Sequence, residues 1–192
     1  MAEAFGDPEG VTLTTTAGPA VRARAVVFCC GYEFPKCVPT DGAKVVSTWA
    51  LASRPRTRCP EWLKRTLVWE ASSPYLYVRT TPDGRVVAGG EDEDGPTAHA
   101  DPERLRRKCA QVVAALGELL PALTLKVEHR WAGAFGTSAT GLPRIAAVPG
   151  LPHAWAVMGF GGNGITYSAI ASEIVAAAIR GERDPDADLF EA

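Results

Sequence analysis

Six consecutive residues hold the most chemical promise in this sequence: Gly159-Phe160-Gly161-Gly162-Asn163-Gly164, set between the apolar run Ala154 to Met158 and a helical pattern that opens near Ile165. Strand, glycine-rich turn and helix start together make an anion-binding element, because unpaired amides and the positive end of the helix dipole point at whatever lies there. The spacing matches Gly-x-Gly-x-x-Gly, but a dinucleotide fingerprint also needs a second parallel strand after the helix and an acid about 20 residues further on. Here the helical pattern closes at Gly181, and the tail Glu182 to Ala192 carries no strand pattern. The element reads as a grip on a charged or polarised group, not as the opening of a Rossmann unit.

A second candidate lies in the middle of the chain. Period-two alternation over residues 75–80 puts Tyr75, Tyr77 and Arg79 on one face of a strand and Leu76, Val78 and Thr80 on the other. An aromatic and cationic face can receive a small carboxylate or amine, although Tyr and Arg stems also serve simply to cover exposed sheet. A third candidate is Gly31, which ends the apolar run 25–30 and would let a ligand or another backbone come close, unless it is only a strand-ending turn. The histidines, His99, His129 and His153, are scattered, and the five cysteines, Cys29, Cys30, Cys37, Cys59 and Cys109, have no Cys-x-x-Cys spacing. No metal site is expected, and no nucleophile elbow, phosphate loop or metalloprotease motif names a catalytic residue. A glycine-rich helix start beside aromatic segments suits a bound cofactor that carries its own reactivity.

The elements that must position these residues are readable in part. Residues 11–16 and 21–30 read as two strands joined tightly through Ala17-Gly18-Pro19, with 25–30 apolar enough for a strand buried on both faces. Lys44 to Ala52 reads as a strand, followed by a basic, proline-bearing link from Ser53 to Pro60. Strands follow over 66–70, 75–80 and 85–90, the last two joined as a hairpin by Pro82-Asp83-Gly84. The charge run Glu91 to Gly95 reads as a solvated loop. Asp101-Pro102-Glu103 opens a helix whose stripe Leu105, Cys109, Val112, Val113, Leu116, Leu119 and Leu120 is structural, with Arg104, Arg106, Arg107 and Lys108 on a solvated face. Residues 123–131 alternate as a strand, the glycine-bearing 133–143 read as irregular, and the last helix carries Ile170, Ile174, Val175, Ala178 and Ile179 inward.

Composition sets outer bounds. The chain has 192 residues, 46% hydrophobic and 22% charged, with net charge -2 and a pI near 5.9. That is ordinary globular composition with no electrostatic footprint for nucleic acid. No apolar run approaches the ~18 residues of a membrane span, the first ten residues lack a secretion signal, and the odd cysteine count suits a reducing compartment, so a cytoplasmic protein is expected.

Several blocks taken together resemble a known family. These are Pro74-Tyr75-Leu76-Tyr77-Val78-Arg79-Thr80 with Gly89-Gly90-Glu91-Asp92-Glu93, then Trp131-Ala132-Gly133-Ala134-Phe135-Gly136 with Gly141-Leu142-Pro143, then residues 159–168 and the closing Leu189-Phe190. They resemble the C-terminal half of the FAD-dependent oxidoreductases of the D-amino-acid oxidase and glycine oxidase superfamily (DAO). The strand ending at Gly31 is similar to that family's second glycine-ended strand near the flavin nucleotide. The resemblance implies a mixed α/β fold, with residues 1–40 and 131–192 forming an incomplete FAD-binding domain and residues 41–130 an antiparallel substrate domain with one long helix.

It also implies roles. FAD is the cofactor, held through Gly31, Gly159, Gly161, Gly162, Asn163, Gly164 and Ile165, whose backbone donors would stabilise negative charge as the ring takes a hydride from the substrate. Tyr75, Tyr77, Arg79, Trp131 and Phe135 are candidates to line the pocket of an amine or amino-acid-like substrate. Two features depart from the family pattern: the N-terminal βαβ unit that holds the ADP half of FAD is missing, and Phe135 and Thr140 stand where glycine oxidases carry a substrate-clamping arginine and an acid. The departures leave open a different amine-type substrate, or none. The expectation is the C-terminal portion of an oxidoreductase, truncated or paired with a companion chain that carries the βαβ unit, and inactive alone. The alternative is a non-catalytic binding module or a remnant of such an enzyme.

Overall fold

The computed structural model describes residues 3–191, in which eleven strands and two α-helices follow one another. In chain order these are β1 (Glu3–Asp7), β2 (Gly10–Thr14), β3 (Ala20–Ala23), β4 (Val26–Phe28), β5 (Ala43–Ser53), β6 (Val68–Trp69), β7 (Leu76–Thr80), β8 (Val86–Asp94), α1 (Pro102–Leu119), β9 (Val127–Ser138), β10 (Arg144–Ala147), β11 (Ala154–Met158) and α2 (Gly164–Ile179). The chain divides into two compact units, residues 1–45 with 135–192 and residues 46–134, so that β5 and β9 carry the backbone from one to the other. No described helix is long and apolar enough to cross a membrane.

In the first unit, a three-stranded sheet β1-β2-β3 accompanies a second sheet ordered β10-β11-β4. β11 runs antiparallel to β10 and parallel to β4, with Ala154 opposite Val26 and Ala156 opposite Phe28. Alternation along β11 separates two cores. Ala154, Ala156 and Met158 pack with Phe28, Val11, Val38 and Val148, whereas Val157 packs with Ile145, Phe190 and the α2 residues Ala171, Ile174 and Val175. α2 ends as the glycine predicts: Gly181 takes φ 76°, its N–H donates to Ala178 O and the Glu182 N–H donates to Ala177 O. That pair of bonds is a Schellman closure, which satisfies carbonyls the last turn would otherwise leave open. Ile179, expected on the inner side, is exposed.

Three expectations need correction here. Residues 21–30 are not one strand, because β3 pairs with β2 while β4 joins the other sheet, and the chain must break between them at Arg24 and Ala25. Nor is the apolar run buried on both faces: β4 is an edge strand, only Phe28 is fully buried, and Cys29 and Cys30 are exposed. The stretch around Gly133 and Gly136 is regular, since β9 runs unbroken to Ser138. β1 and β10 carried no signal that the sequence pattern detected.

The second unit is a five-stranded sheet ordered β6-β7-β8-β5-β9 with α1 on one face. Leu51, Leu76, Val78, Val86 and Ala88 meet Cys109, Val112, Leu116 and Leu120 in its core. The Asp101 side chain accepts from the amides of Glu103 and Arg104, so the cap and the proline at the first turn act as expected. The acidic run is not a solvated loop. β8 continues through it, with Ser47 opposite Glu93 and Val46 opposite Asp94 beyond a bulge between Ser47 and Trp49.

What makes that continuation tolerable is Lys108, which is buried and not on a solvated face as the pattern suggests. Its Nζ donates to Glu91 O at 2.8 Å, lies 3.5 Å and 3.4 Å from the carboxylates of Glu91 and Glu93, and sits 5.1 Å from the Trp49 ring centroid. Charge that would repel along the strand is neutralised from the helix above it.

Gly90 is the tightest point in this sheet. It takes φ 137°, and a Cβ there would fall 2.0 Å from Tyr75 O. Gly90→Ala is expected to cost about 3 kcal/mol or more, and Asp101→Ala about 1 kcal/mol, in equilibrium urea unfolding. Equal costs for the two variants would contradict the packing described.

Candidate functional site

In the first unit, β4 and β11 are parallel, so their carboxyl ends open on the same side, and each is followed by a glycine in the left-handed region: Gly31 at φ 69° and Gly159 at φ 77°. The carboxyl ends of parallel strands are where ligands of α/β sheets bind, because the connections diverge there. A cavity of about 280 Å³ occupies this position, lined by Gly31, Tyr32, Phe34, Lys44, Gly136, Met158 and Gly159 among others. Gly136 lies within van der Waals reach of both glycines: a Cβ on it would be 3.6 Å from Gly31 O and 3.7 Å from Gly159 N. Three glycine backbones thus converge, with the Cβ atoms of Tyr32 and Ser138 beside them.

The glycine turn is only partly free to bind. The Gly161 N–H donates to Gly136 O at 2.9 Å and the Asn163 N–H to Phe160 O at 3.2 Å, so these two expected donors are engaged within the chain. Among the described residues, the amides of Gly162, Gly164, Ile165 and Thr166 have no acceptor. Asn163 occupies the N-cap position of the 16-residue α2 but makes no side-chain cap bond. Open donors at the positive end of a helix favour an anionic or electron-rich group. Ile165, also expected here, is 93% exposed, and a Cβ added at Gly161 or Gly162 would meet nothing within 4 Å.

The second unit carries the aromatic candidates. Tyr75, Tyr77 and Arg79 lie on the sheet face opposite the α1 core, and Trp69, across from Tyr77, joins them. Ring centroids stand 6.1 Å apart for Trp69 and Tyr75 and 6.4 Å for Tyr75 and Tyr77. The Tyr77 ring covers Gly89, where a Cβ would fall 2.4 Å from its hydroxyl. The Tyr75 hydroxyl donates to Asp92 Oδ2 at 2.8 Å. Burial and this bond to a carboxylate push the Tyr75 phenol up, and burial followed by the Asp92 charge does the same to Tyr77.

Arg79 is exposed, and its guanidinium meets no carboxylate among the described residues. Trp131 on β9 is separated from β7 by β8 and β5, about 14 Å at ordinary strand spacing, so it does not join the aromatic group. Phe135, also on β9, belongs with the first unit. Trp69 and Asp92 escaped notice in the sequence because their places depend on strand register and on β8 continuing through acids. Tyr32, Lys44 and Gly136 escaped because only the parallel pairing of β4 with β11 gathers them.

Comparisons with known proteins place this architecture. Residues 2–178 match the family model DAO, FAD dependent oxidoreductase. The chain belongs to that family of FAD-dependent oxidoreductases, and the family resemblance read from the sequence holds. Among individual proteins it is 30% identical over 117 residues to the gamma-glutamylputrescine oxidoreductase of Escherichia coli (strain K12), a match that covers 60% of this chain and 25% of that protein. Its fold is similar to glycine oxidase from Geobacillus kaustophilus, with TM-score 0.75 and 20% identity over 95% of this chain and 49% of the other. It is likewise similar to L-proline dehydrogenase from P. horikoshii, with TM-score 0.76 and 18% identity over 98% and 52%. The chain therefore spans about half the length of these solved relatives and a quarter of the curated one.

The two shifted phenols give a direct check on the aromatic face. A phenol whose pKa is raised by folding keeps its proton more tightly in the folded state. Its contribution to stability is complete below the ordinary tyrosine value near 10 and is lost as pH rises through the folded value. In a spectrophotometric titration, Tyr75→Phe should remove one late-ionising phenol, and Asp92→Asn should bring the Tyr75 ionisation down. An unchanged curve for Asp92→Asn would refute the Tyr75–Asp92 pairing.

Proposed function

We propose that this chain forms the flavin-ring and substrate portions of an FAD-dependent oxidoreductase acting on an amine or amino-acid-like substrate. The observation that carries this reading is the convergence of Gly31, Gly136 and Gly159 on one cavity, next to the open amides that start α2. An electron-rich planar ring needs close backbone approach and fixed donors, and both are found there in residues that the family match covers. Gly31, Gly159, Gly162, Gly164 and Ile165 are assigned to hold the ring end, with Gly161 and Asn163 shaping the turn through their internal bonds. When bound, FAD supplies a two-electron acceptor for the substrate's carbon–nitrogen unit.

The described residues contain no βαβ unit of the kind that holds the ADP half of FAD, so our proposal assigns this chain the ring end alone. The ADP half is then left to protein outside it, for which a companion chain is one source. We assign the second unit to substrate. Its Trp69, Tyr75 and Tyr77 faces, with the Asp92 carboxylate behind them, favour a cationic amine, and Arg79 favours a carboxylate further along the strand. The curated relative's name, a gamma-glutamylputrescine oxidoreductase, supports an amine substrate over a simple α-amino acid. Free thiols at exposed Cys29 and Cys30 suit the cytoplasm, where we place the protein.

Flavin affinity tests the assignment. Riboflavin and FAD should bind the purified chain within about tenfold of one another, a difference below about 1.4 kcal/mol, because neither gains from an ADP site. Gly162→Val, at a position with room for a side chain and no left-handed φ, should weaken both at least tenfold while leaving the melting temperature unchanged. FAD that survives desalting at one per chain would refute the ring-end limit, and failure of both flavins to bind would refute the assignment.

A further inference from the structure

The link from Ser53 to Pro60 is absorbed by neither the cavity nor the aromatic face. Residues 54–65 carry five cations, Arg54, Arg56, Arg58, Lys64 and Arg65, against the single carboxylate of Glu61. In a chain of net charge -2, this local excess is out of keeping with the rest of the surface.

The link is also held rigidly. The amides of Arg56 and Thr57 donate to Asp83 O at 3.0 Å and Gly84 O at 2.9 Å, clamping the link onto the turn between β7 and β8. The Thr57 hydroxyl donates to Arg54 O at 2.7 Å and lies 2.8 Å from the Ser53 hydroxyl. Arg56 takes φ 53°, a left-handed conformation that costs an arginine free energy and persists only where surrounding bonds impose it. The close approach requires Gly84, since a Cβ there would fall 3.1 Å from Arg56 Cα.

This clamp opens a groove of about 1200 Å³, larger than the ~300–1,000 Å³ of usual small-molecule pockets. Arg56, Arg58 and Lys64 line it together with the uncharged Thr80, Pro82 and Gly84. The one acid in its wall, Asp83, is taken by Arg85 at 3.0 Å and by the Thr81 hydroxyl. Lys64 is paired with Glu61, whereas Arg56 and Arg58 are exposed and face no carboxylate among the described residues.

We propose that this groove docks an extended segment of a partner protein rich in Asp and Glu. Two arginines two residues apart on a fixed backbone present guanidinium forks suited to carboxylates, and the pinned link has already lost the conformational entropy that docking would otherwise cost. The size of the groove fits an extended polypeptide better than a single small anion.

The test is fluorescence anisotropy of the full chain with a fluorescein-labelled peptide of six Glu-Ala repeats. Binding that weakens with added salt, falls at least tenfold in Arg56→Glu/Arg58→Glu and persists in the equally charge-changed Arg106→Glu/Arg107→Glu on α1 supports the proposal. Should the reversed variant misfold, Arg56→Asn/Arg58→Gln keeps a residue tolerant of the left-handed backbone and should show the same loss. Absence of binding, equal loss in both charge-reversed variants, or displacement of the peptide by equimolar inorganic phosphate or an RNA oligonucleotide would overturn it.

Discussion

A backbone hydrogen bond of 2.9 Å, from the Gly161 N–H to the Gly136 carbonyl, governs the geometry at the carboxyl ends of the parallel strands. It ties the end of β9 to the glycine turn, so the turn cannot drift away from the cavity that Gly31 and Gly159 share. It also decides which amides remain available, because a donor spent on Gly136 is unavailable to a ligand. The open set that remains, Gly162 to Thr166 without Asn163, straddles the start of α2 and has the helix dipole behind it. Gly31 and Gly159 take left-handed φ of 69° and 77°, which a side chain would strain, and a Cβ at 136 or 159 would sit in van der Waals contact with its neighbours.

The second unit depends on a different kind of constraint. An acidic run at the end of a strand ought to fray into solvent, and in this chain it pairs with β5 because a buried lysine from α1 meets it. Such a pair contributes less to stability than to register, since desolvation offsets much of its attraction. Its consequence is positional: with Glu91 and Glu93 drawn toward Lys108, Asp92 accepts from Tyr75 on β7. The helix face that reads as solvated in the sequence thus helps, through Lys108, to order the aromatic face on the far side of the sheet.

Local chemistry was legible in the sequence and long-range pairing was not. Asp101-Pro102-Glu103, Pro82-Asp83-Gly84 and Gly181 each announce a cap or turn through their own backbone preferences, and each sits where expected. The family resemblance, carried by blocks such as Gly159 to Ser168, named the fold that pattern alone did not assemble. The parallel meeting of residues 26–28 with residues 154–156 leaves no mark in either segment, because β-branched and apolar residues suit any buried partner. Hence Gly31 could be singled out, while Tyr32, Lys44 and Gly136, which share its cavity, could not. The charge of Lys108 misled for a related reason: its partners lie on another element, beyond the reach of helical periodicity.

The passage of the backbone through β5 and β9 has a bearing on how the molecule is made. Residues 46–134 form one unbroken stretch, whereas the other unit draws on segments at both sides of it. During synthesis the inserted unit can complete its contacts as soon as it leaves the ribosome. β4, by contrast, must wait unpaired until β11 has been translated. Exposed apolar groups on that waiting strand, Val27 among them, are the surface a nascent chain must keep from misassociating. The short length of β4, three residues, limits the template it offers in that interval.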